Sequence, residues 1–170
     1  MAGATIRVEI QDRALRRALA RWIRLDRDPR PLLRAIGVGL AENVRDRIAA
    51  GEDPEGNPWT PLHPAYAALK RGPGILREAG MRGGLQGSVT FDVAGREVAV
   101  GTSKIYGAAH QFGATIRAKR APRLVFRTPD GKAWGAAQEV TIPARPYLGL
   151  SRADEGTILE VAETFFARGP

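Results

Sequence analysis

His63 and His110 are the only side chains in the sequence whose ordinary pKa lies near neutrality, so any general base would start with them. Ser88, His110 and Asp92 supply the residue types of a nucleophilic triad. No serine, however, sits in the G-x-S-x-G turn that exposes such a nucleophile. Neither histidine is flanked by H-x-x-x-H, H-E-x-x-H or a carboxylate pair, the spacings that hold a catalytic or structural metal. Glu52, Asp53 and Glu55 hint at a calcium loop but miss its D-x-[DN]-x-[DN]-G register and its closing glutamate. Gly72 and Gly74 lack the G-K-[ST] that completes a phosphate-binding loop. There is no cysteine, which removes thiol nucleophiles, thiolate zinc sites and disulfides. The residue pattern argues against an enzyme and implies no cofactor and no metal.

A second chemistry is available to the cations. The 170-residue chain carries 26 Lys and Arg against 18 Asp and Glu, a formal charge of +8, and only four of the cations are lysines. Arginine is weakly hydrated and makes planar bidentate contacts, so it suits protein interfaces as well as phosphate. The densest basic stretch holds Arg117, Lys119, Arg120, Arg123 and Arg127. It could follow a phosphate backbone, meet an acidic neighbour or lie solvated. It has no aromatic stacking platform within it, and the chain shows no helix-turn-helix or zinc-finger signature.

The elements that must position these groups are legible from periodicity. Ile6, Val8 and Ile10 alternate with polar residues, predicting a strand over 5–10. Leu15, Leu19, Trp22 and Ile23 recur at helical spacing and predict an amphipathic helix over 11–25, its arginines on the remaining faces. Leu33, Ile36, Leu40, Val44 and Ile48 predict a second helix that starts near Pro31 and ends at Gly51. The stretch "GEDPEGNPWTPL" (51–62) reads as an ordered turn anchored by Trp59, with a short helix at about 64–70. Val89, Phe91 and Val93, then Val98 and Val100, flank "AGR" as a hairpin. A short helix over 104–112 places Tyr106 and His110 on one face, followed by a strand at 114–117. "RAKRAPR" reads as loop, and 123–142 as a second hairpin with "PDG" near its turn. Ser151 and Asp154 have capping-box spacing ahead of a C-terminal helix carrying Ile158, Val161, Phe165 and Phe166.

Strands in the middle with helices at both ends predict an α+β fold: one domain, residues 1–170, with a mostly antiparallel sheet, helices on one face, and a basic loop at 117–137 that protrudes. No apolar run approaches the ~20 residues of a membrane-spanning helix, and residues 1–10 do not form a secretory signal. Both features point to a soluble protein made in a cytoplasm, with no membrane partner.

Three segments carry a resemblance. They are "GEDPEGNPWTPL" with Lys70 and "GILREAGMRGGLQGSV"; "VAVGTSKIYGAAHQFGATI"; and "IPARPYLGLSRAD". Their order and spacing resemble the phage virion morphogenesis, or tail-completion, family of Mu-like and related tailed phages. Matching residues include Asp53, Pro54, Gly56, Pro58, Trp59, Lys70, Leu76, Leu85, Ser88, Gly101 and Tyr106. They continue through His110, Gln111, Phe112, Gly113 and Pro143 to Leu150, so the match spans about residues 31–165. Gly107 stands where the family usually has alanine, and "AGMRGGLQGS" carries extra residues between the Gly and Leu of the short pattern.

The resemblance implies a non-enzymatic structural protein at the head–tail junction or tail top. Its partners would be copies of itself in a ring, with connector, portal-side or tail-tube proteins as neighbours. Basic residues facing the lumen would contact packaged DNA through phosphate. It also implies that "IYGAAHQFG" is a packing motif, with Phe112 filling a core site and His110 and Gln111 hydrogen-bonding backbone. Arg145, Tyr147 and Trp134 are candidate interface residues, since arginine and aromatic side chains carry much interface energy. Arg145 between Pro143 and Pro146 has an equal alternative, tying its own segment to its own domain through backbone carbonyls.

Overall fold

A computed structural model describes residues 13–70, 72–78, 84–127 and 133–168. The strand expected over 5–10 and the "PDG" of the second hairpin lie outside the described residues. Helix α1 runs Arg13–Arg27 and α2 Arg30–Ala50, with Pro31 in the first turn of α2. Gly51 ends α2 in the left-handed conformation (φ 78°), which a glycine adopts without the steric penalty of a Cβ. Its N–H returns to Arg47 O at 2.9 Å. The short α3 (Pro64–Leu69) is capped by the His63 ring, whose Nδ1 accepts from Ala65 N–H at 3.3 Å.

Strands β1 (Val89–Ala94) and β2 (Glu97–Thr102) form the expected hairpin in register Val89↔Thr102 to Ala94↔Glu97. Its two-residue turn puts Gly95 at φ 60°, the positive angle such a tight turn needs at its first position. Helix α4 (Gly107–Phe112) leads into β3 (Ala114–Arg117). Strands β4 (Leu124–Arg127) and β5 (Ala133–Ala137) form the second hairpin, and β6 (Glu139–Ile142) returns to pair with β3. Helix α5 covers Arg152–Arg168. Among the described residues, every pairing is antiparallel, as an α+β fold of this order requires. The strands pair two by two (β1–β2, β3–β6, β4–β5) and do not join into a wider sheet. No helix among the described residues is long and apolar enough to cross a membrane.

Helix α2 is the hub, packing on the β1–β2 hairpin and on α5. A Cβ on Gly37 would stand 2.3 Å from the Phe91 ring, and one on Gly39 2.6 Å from Thr157 Cγ2. The two glycines thus let the hairpin and α5 approach the helix backbone. The core gathers Ala41, Val44 and Ile48 of α2 with Trp59, Leu76, Leu85, Val89 and Tyr147. Each large apolar side chain here contributes on the order of 1.5–3 kcal/mol by leaving water.

Candidate functional site

The segment Pro143–Leu150 is extended but belongs to no strand. Pro143 and Pro146 have no N–H to give to a ladder. The remaining backbone groups must still be satisfied where they are buried, and side-chain and main-chain groups of distant elements do this. Arg145 N–H donates to His110 O (2.7 Å), and Trp59 Nε1 donates to Pro146 O (2.9 Å). Gln111 Oε1 accepts from both Tyr147 N–H and Leu148 N–H (3.0 Å each), while its Nε2 donates to Leu148 O (2.8 Å). Arg47 Nη1 donates to Tyr147 O at 2.9 Å. Gly149 lies so close to Pro54 that a Cβ would meet its ring at 2.5 Å. Motif residues that are far apart in sequence therefore converge on one strap.

The strap is locked to the helices by a buried ion pair. Arg47 Nη2 donates to Asp154 Oδ2 at 2.7 Å, and both side chains are at most 5% exposed. Asp154 also accepts from Ser151 N–H (2.8 Å), Ser151 Oγ (2.8 Å) and Asn43 Nδ2 (2.9 Å), and Ser151 Oγ caps Asp154 N–H at 3.2 Å. The anticipated capping box is present, and its acid does more than cap. Burial works to raise the Asp154 pKa, but the Ser151, Asn43 and Arg47 hydrogen bonds outweigh it and hold the carboxyl below its ordinary value.

Trp59 anchors its turn as expected, since it is buried and its N–H donates to Gly51 O at 2.8 Å. Within that turn Asp53 accepts from Asn57 Nδ2 (3.0 Å), Asn57 N–H (2.8 Å) and Glu55 N–H (3.0 Å). These bonds, led by that of the Asn57 side chain, hold its pKa below the ordinary value against the opposing effect of desolvation. The Lys70 ammonium donates to Arg77 O and fixes the bend that follows α3.

A cleft of about 710 Å³ opens beside the strap, with apolar walls that include Leu76, Val125 and Ile142. His63, Lys70, Glu78, Tyr106, His110 and Arg145 also line it. Tyr106 and His110 share a face as their spacing predicts, edge to face with ring centroids 5.9 Å apart. Burial, and then Arg145, push the His110 pKa below its ordinary value, with Glu78 opposing. Burial also raises the Tyr106 and Tyr147 hydroxyls. No group of three or more His, Asp or Glu side chains is placed to hold a metal ion among the described residues.

Two expectations for the packing motif need correction. Phe112 does not fill a core site: it is 79% exposed. At about 100° per residue, the turn that aims His110 into the cleft swings a residue two positions later to the opposite side of α4. His110 contributes its main-chain oxygen to the strap, but its ring Nδ1 is buried without a hydrogen-bond partner. Gln111 alone makes the expected side-chain contacts to backbone. Gly113 (φ 76°) ends α4 with backbone of Ala144 and Ile142 about 3 Å from where a Cβ would sit. Gly107 is buried, and a Cβ there would lie 2.6 Å from Thr102 Cγ2 and 2.8 Å from the Tyr147 hydroxyl. This is the position at which the resemblance leads one to expect alanine.

Arg145 and Tyr147 are buried within the chain, 5% and 1% exposed. The Arg145 guanidinium donates to Thr60 O from Nε (3.1 Å) and Nη2 (2.9 Å), the intramolecular tie of the two readings. Trp134 lies in β5 and Arg127 ends β4, with side chains outside the described residues. Arg117 faces Glu139 across the β3–β6 pair and forms an ion pair with it. Lys119, Arg120 and Arg123 are exposed on irregular backbone, so the segment is a loop as its composition indicates. Sequence reasoning missed Arg47 and Asn43, and it expected Gln111 to bond backbone without saying which. Only the placing of an arginine on the apolar face of α2, one residue before Ile48, signals the first of these.

The profile of the phage virion morphogenesis family matches residues 10–167. The chain belongs to that family, and is a structural protein of phage particle assembly. It is 29% identical over 162 residues to "Mu-like prophage FluMu G protein 2" of Haemophilus influenzae, covering 95% of this chain and 96% of that one. It is also 28% identical over 156 residues to "Putative capsid assembly protein G" of Escherichia phage Mu, covering 90% and 88%. No solved structure matches it.

Proposed function

We propose that this chain acts without catalysis in head–tail joining or tail completion of a tailed phage or phage-like particle, as one subunit of a neck or tail-terminator ring. The observation that carries this reading is Phe112. A residue of the family's most distinctive motif is presented to solvent at 79% exposure, with Ile105 beside the same helix at 98%. The Gln111 side chain and the His110 main-chain oxygen are consumed inside, on the backbone of 145–148, so the motif builds a rigid strap and leaves an apolar knob for another protein. Large exposed apolar side chains of this kind mark association surfaces. The basic segment 117–127 meets a neighbour of opposite charge, either packaged DNA through phosphate or an acidic protein surface.

The test is electron microscopy of lysates in which this gene is disrupted. Filled heads beside separate tails, rescued by supplying the chain, support head–tail joining. Tails of irregular length select the terminator. Normal infectious particles overturn the proposal.

A further inference from the structure

Two surfaces of the chain carry opposite charge around exposed apolar centres. On α5 the outward stripe holds Glu155, Leu159, Glu160 and Glu163, all exposed, with Leu159 at 64%. Between residues 155 and 163 it has no cation. The other surface is the 118–123 loop, where Lys119, Arg120 and Arg123 are exposed. The strands it joins add exposed Ile116 (43%) and Val125 (54%). Arg117 is already neutralised by Glu139, so the remaining three cations set the charge of this surface.

The two surfaces sit on separate parts of the fold. Helix α5 packs on α2, whereas the loop hangs from β3 and β4, whose partners are β6 and β5. Among the described residues no ion pair links the α5 glutamates to the loop. Within one copy the described residues leave this charge match unmade, and a second copy can supply it.

We infer that the acidic face of α5 in one copy docks on the 118–123 loop of the next copy, making a head-to-tail contact. This rests on the ring reading above and names its contact. The contact is heterologous, since different surfaces meet, and such contacts close into rings when the rotation between subunits allows. The apolar centres favour a protein surface over nucleic acid: phosphate contacts gain nothing from Leu159, Ile116 or Val125, whereas an interface core does. Arginine at the loop fits as well, because its planar fork pairs carboxylates in two places at once.

A charge swap tests this. The α5 variant carries Glu160→Arg and Glu163→Arg, and the loop variant carries Arg120→Glu and Arg123→Glu. All four sites are exposed, so both variants should keep the wild-type melting temperature. Each is supplied alone to lysates lacking the chain, then both together. Like charges facing each other should lower the yield of joined particles by ~tenfold or more for either variant alone. The mixture should recover most of the yield, because each reversed face then meets a reversed partner.

Wild-type yield from each variant alone overturns the inference and leaves the head–tail role standing. A defect confined to the loop variant, not rescued by mixing, overturns it and assigns the loop to nucleic acid or a different protein. Defects in both without rescue also overturn it. If disruption of the gene leaves normal particles, the head–tail role fails, and the contact is judged by sedimentation velocity of the purified chain. Salt-sensitive association, lost in each variant and regained in the mixture, then supports it; a monomer throughout overturns it.

Discussion

The carboxamide of Gln111 pairs with Leu148 as a neighbouring strand would, its Oε1 accepting the Leu148 N–H at 3.0 Å and its Nε2 donating to the Leu148 carbonyl at 2.8 Å. The same Oε1 takes Tyr147 N–H, so one side chain satisfies three backbone groups of a proline-bounded segment.

Replacing Gln111 should therefore cost more than a typical polar surface change. Gln111→Leu leaves three backbone groups unpaired in a part-buried site, a loss of roughly 2–4 kcal/mol at about 1 kcal/mol or more each. Gln111→Glu keeps the acceptor but loses the donor to Leu148 O, and should fall between the two. Urea denaturation of the three proteins measures the order; equal midpoints would sink the strand-mimic account.

Asp154→Asn leaves Arg47 buried without its counter-charge and should destabilise by about 3–5 kcal/mol. The double change Arg47→Met with Asp154→Leu should cost less than the sum of the single changes, because the two side chains share one interaction. The pH dependence has a fixed sign. Asp154 is held below its ordinary pKa in the folded chain, so its stabilisation is fully present above ~3.9 and is lost as pH falls through the depressed folded value. Asp154→Asn should flatten the acid limb of a stability–pH curve; an unchanged limb assigns acid unfolding elsewhere.

Gly37→Ala places a methyl 2.3 Å from the Phe91 ring, well inside contact distance. The overpacking should cost ~1–3 kcal/mol, although alanine is the better helix former. Phe91→Leu in the same chain should recover part of that loss. A melting temperature for Gly37→Ala at or above wild type would show that the hairpin shifts freely on α2.

Phe112→Ser should leave stability within about 0.5 kcal/mol, as surface changes usually do, yet reduce the yield of joined particles. Thermal melting and particle counts read the two effects separately. A large drop in melting temperature would return Phe112 to the interior of the fold.

Local signals were the legible ones. The 3–4 spacing of Leu33, Ile36, Leu40, Val44 and Ile48, the alternation of Val89, Phe91 and Val93, and the Ser151–Asp154 pair each fix an element through neighbours a few residues away. What stayed hidden depends on separation. Arg47 and Asp154 are 107 residues apart, and Gln111 and Leu148 are 37 apart. No period in the sequence encodes such pairs. Phe112 misled because an aromatic inside an apolar motif reads as core, and its direction is set by which face of a six-residue helix the cleft claims. The Arg145 question was posed correctly from its prolines, but only the position of Thr60 O shows how the guanidinium is used.

The strap has a consequence for the order in which the chain folds. Its anchors, Arg47, Trp59 and Gln111, are all synthesised before residue 143, and their strap partners come only with residues 146–148. Closing loops of this length is slow compared with forming α2 or the first hairpin, so locking of the strap is a late event. A chain interrupted before Tyr147 would leave Trp59 and Ile48 without the tyrosine that packs with them, exposing sticky surface to proteolysis and aggregation. Only chains carrying the strap would then be rigid enough to take part in assembly, and residues 143–148 would serve as the check that the segments before them have been made.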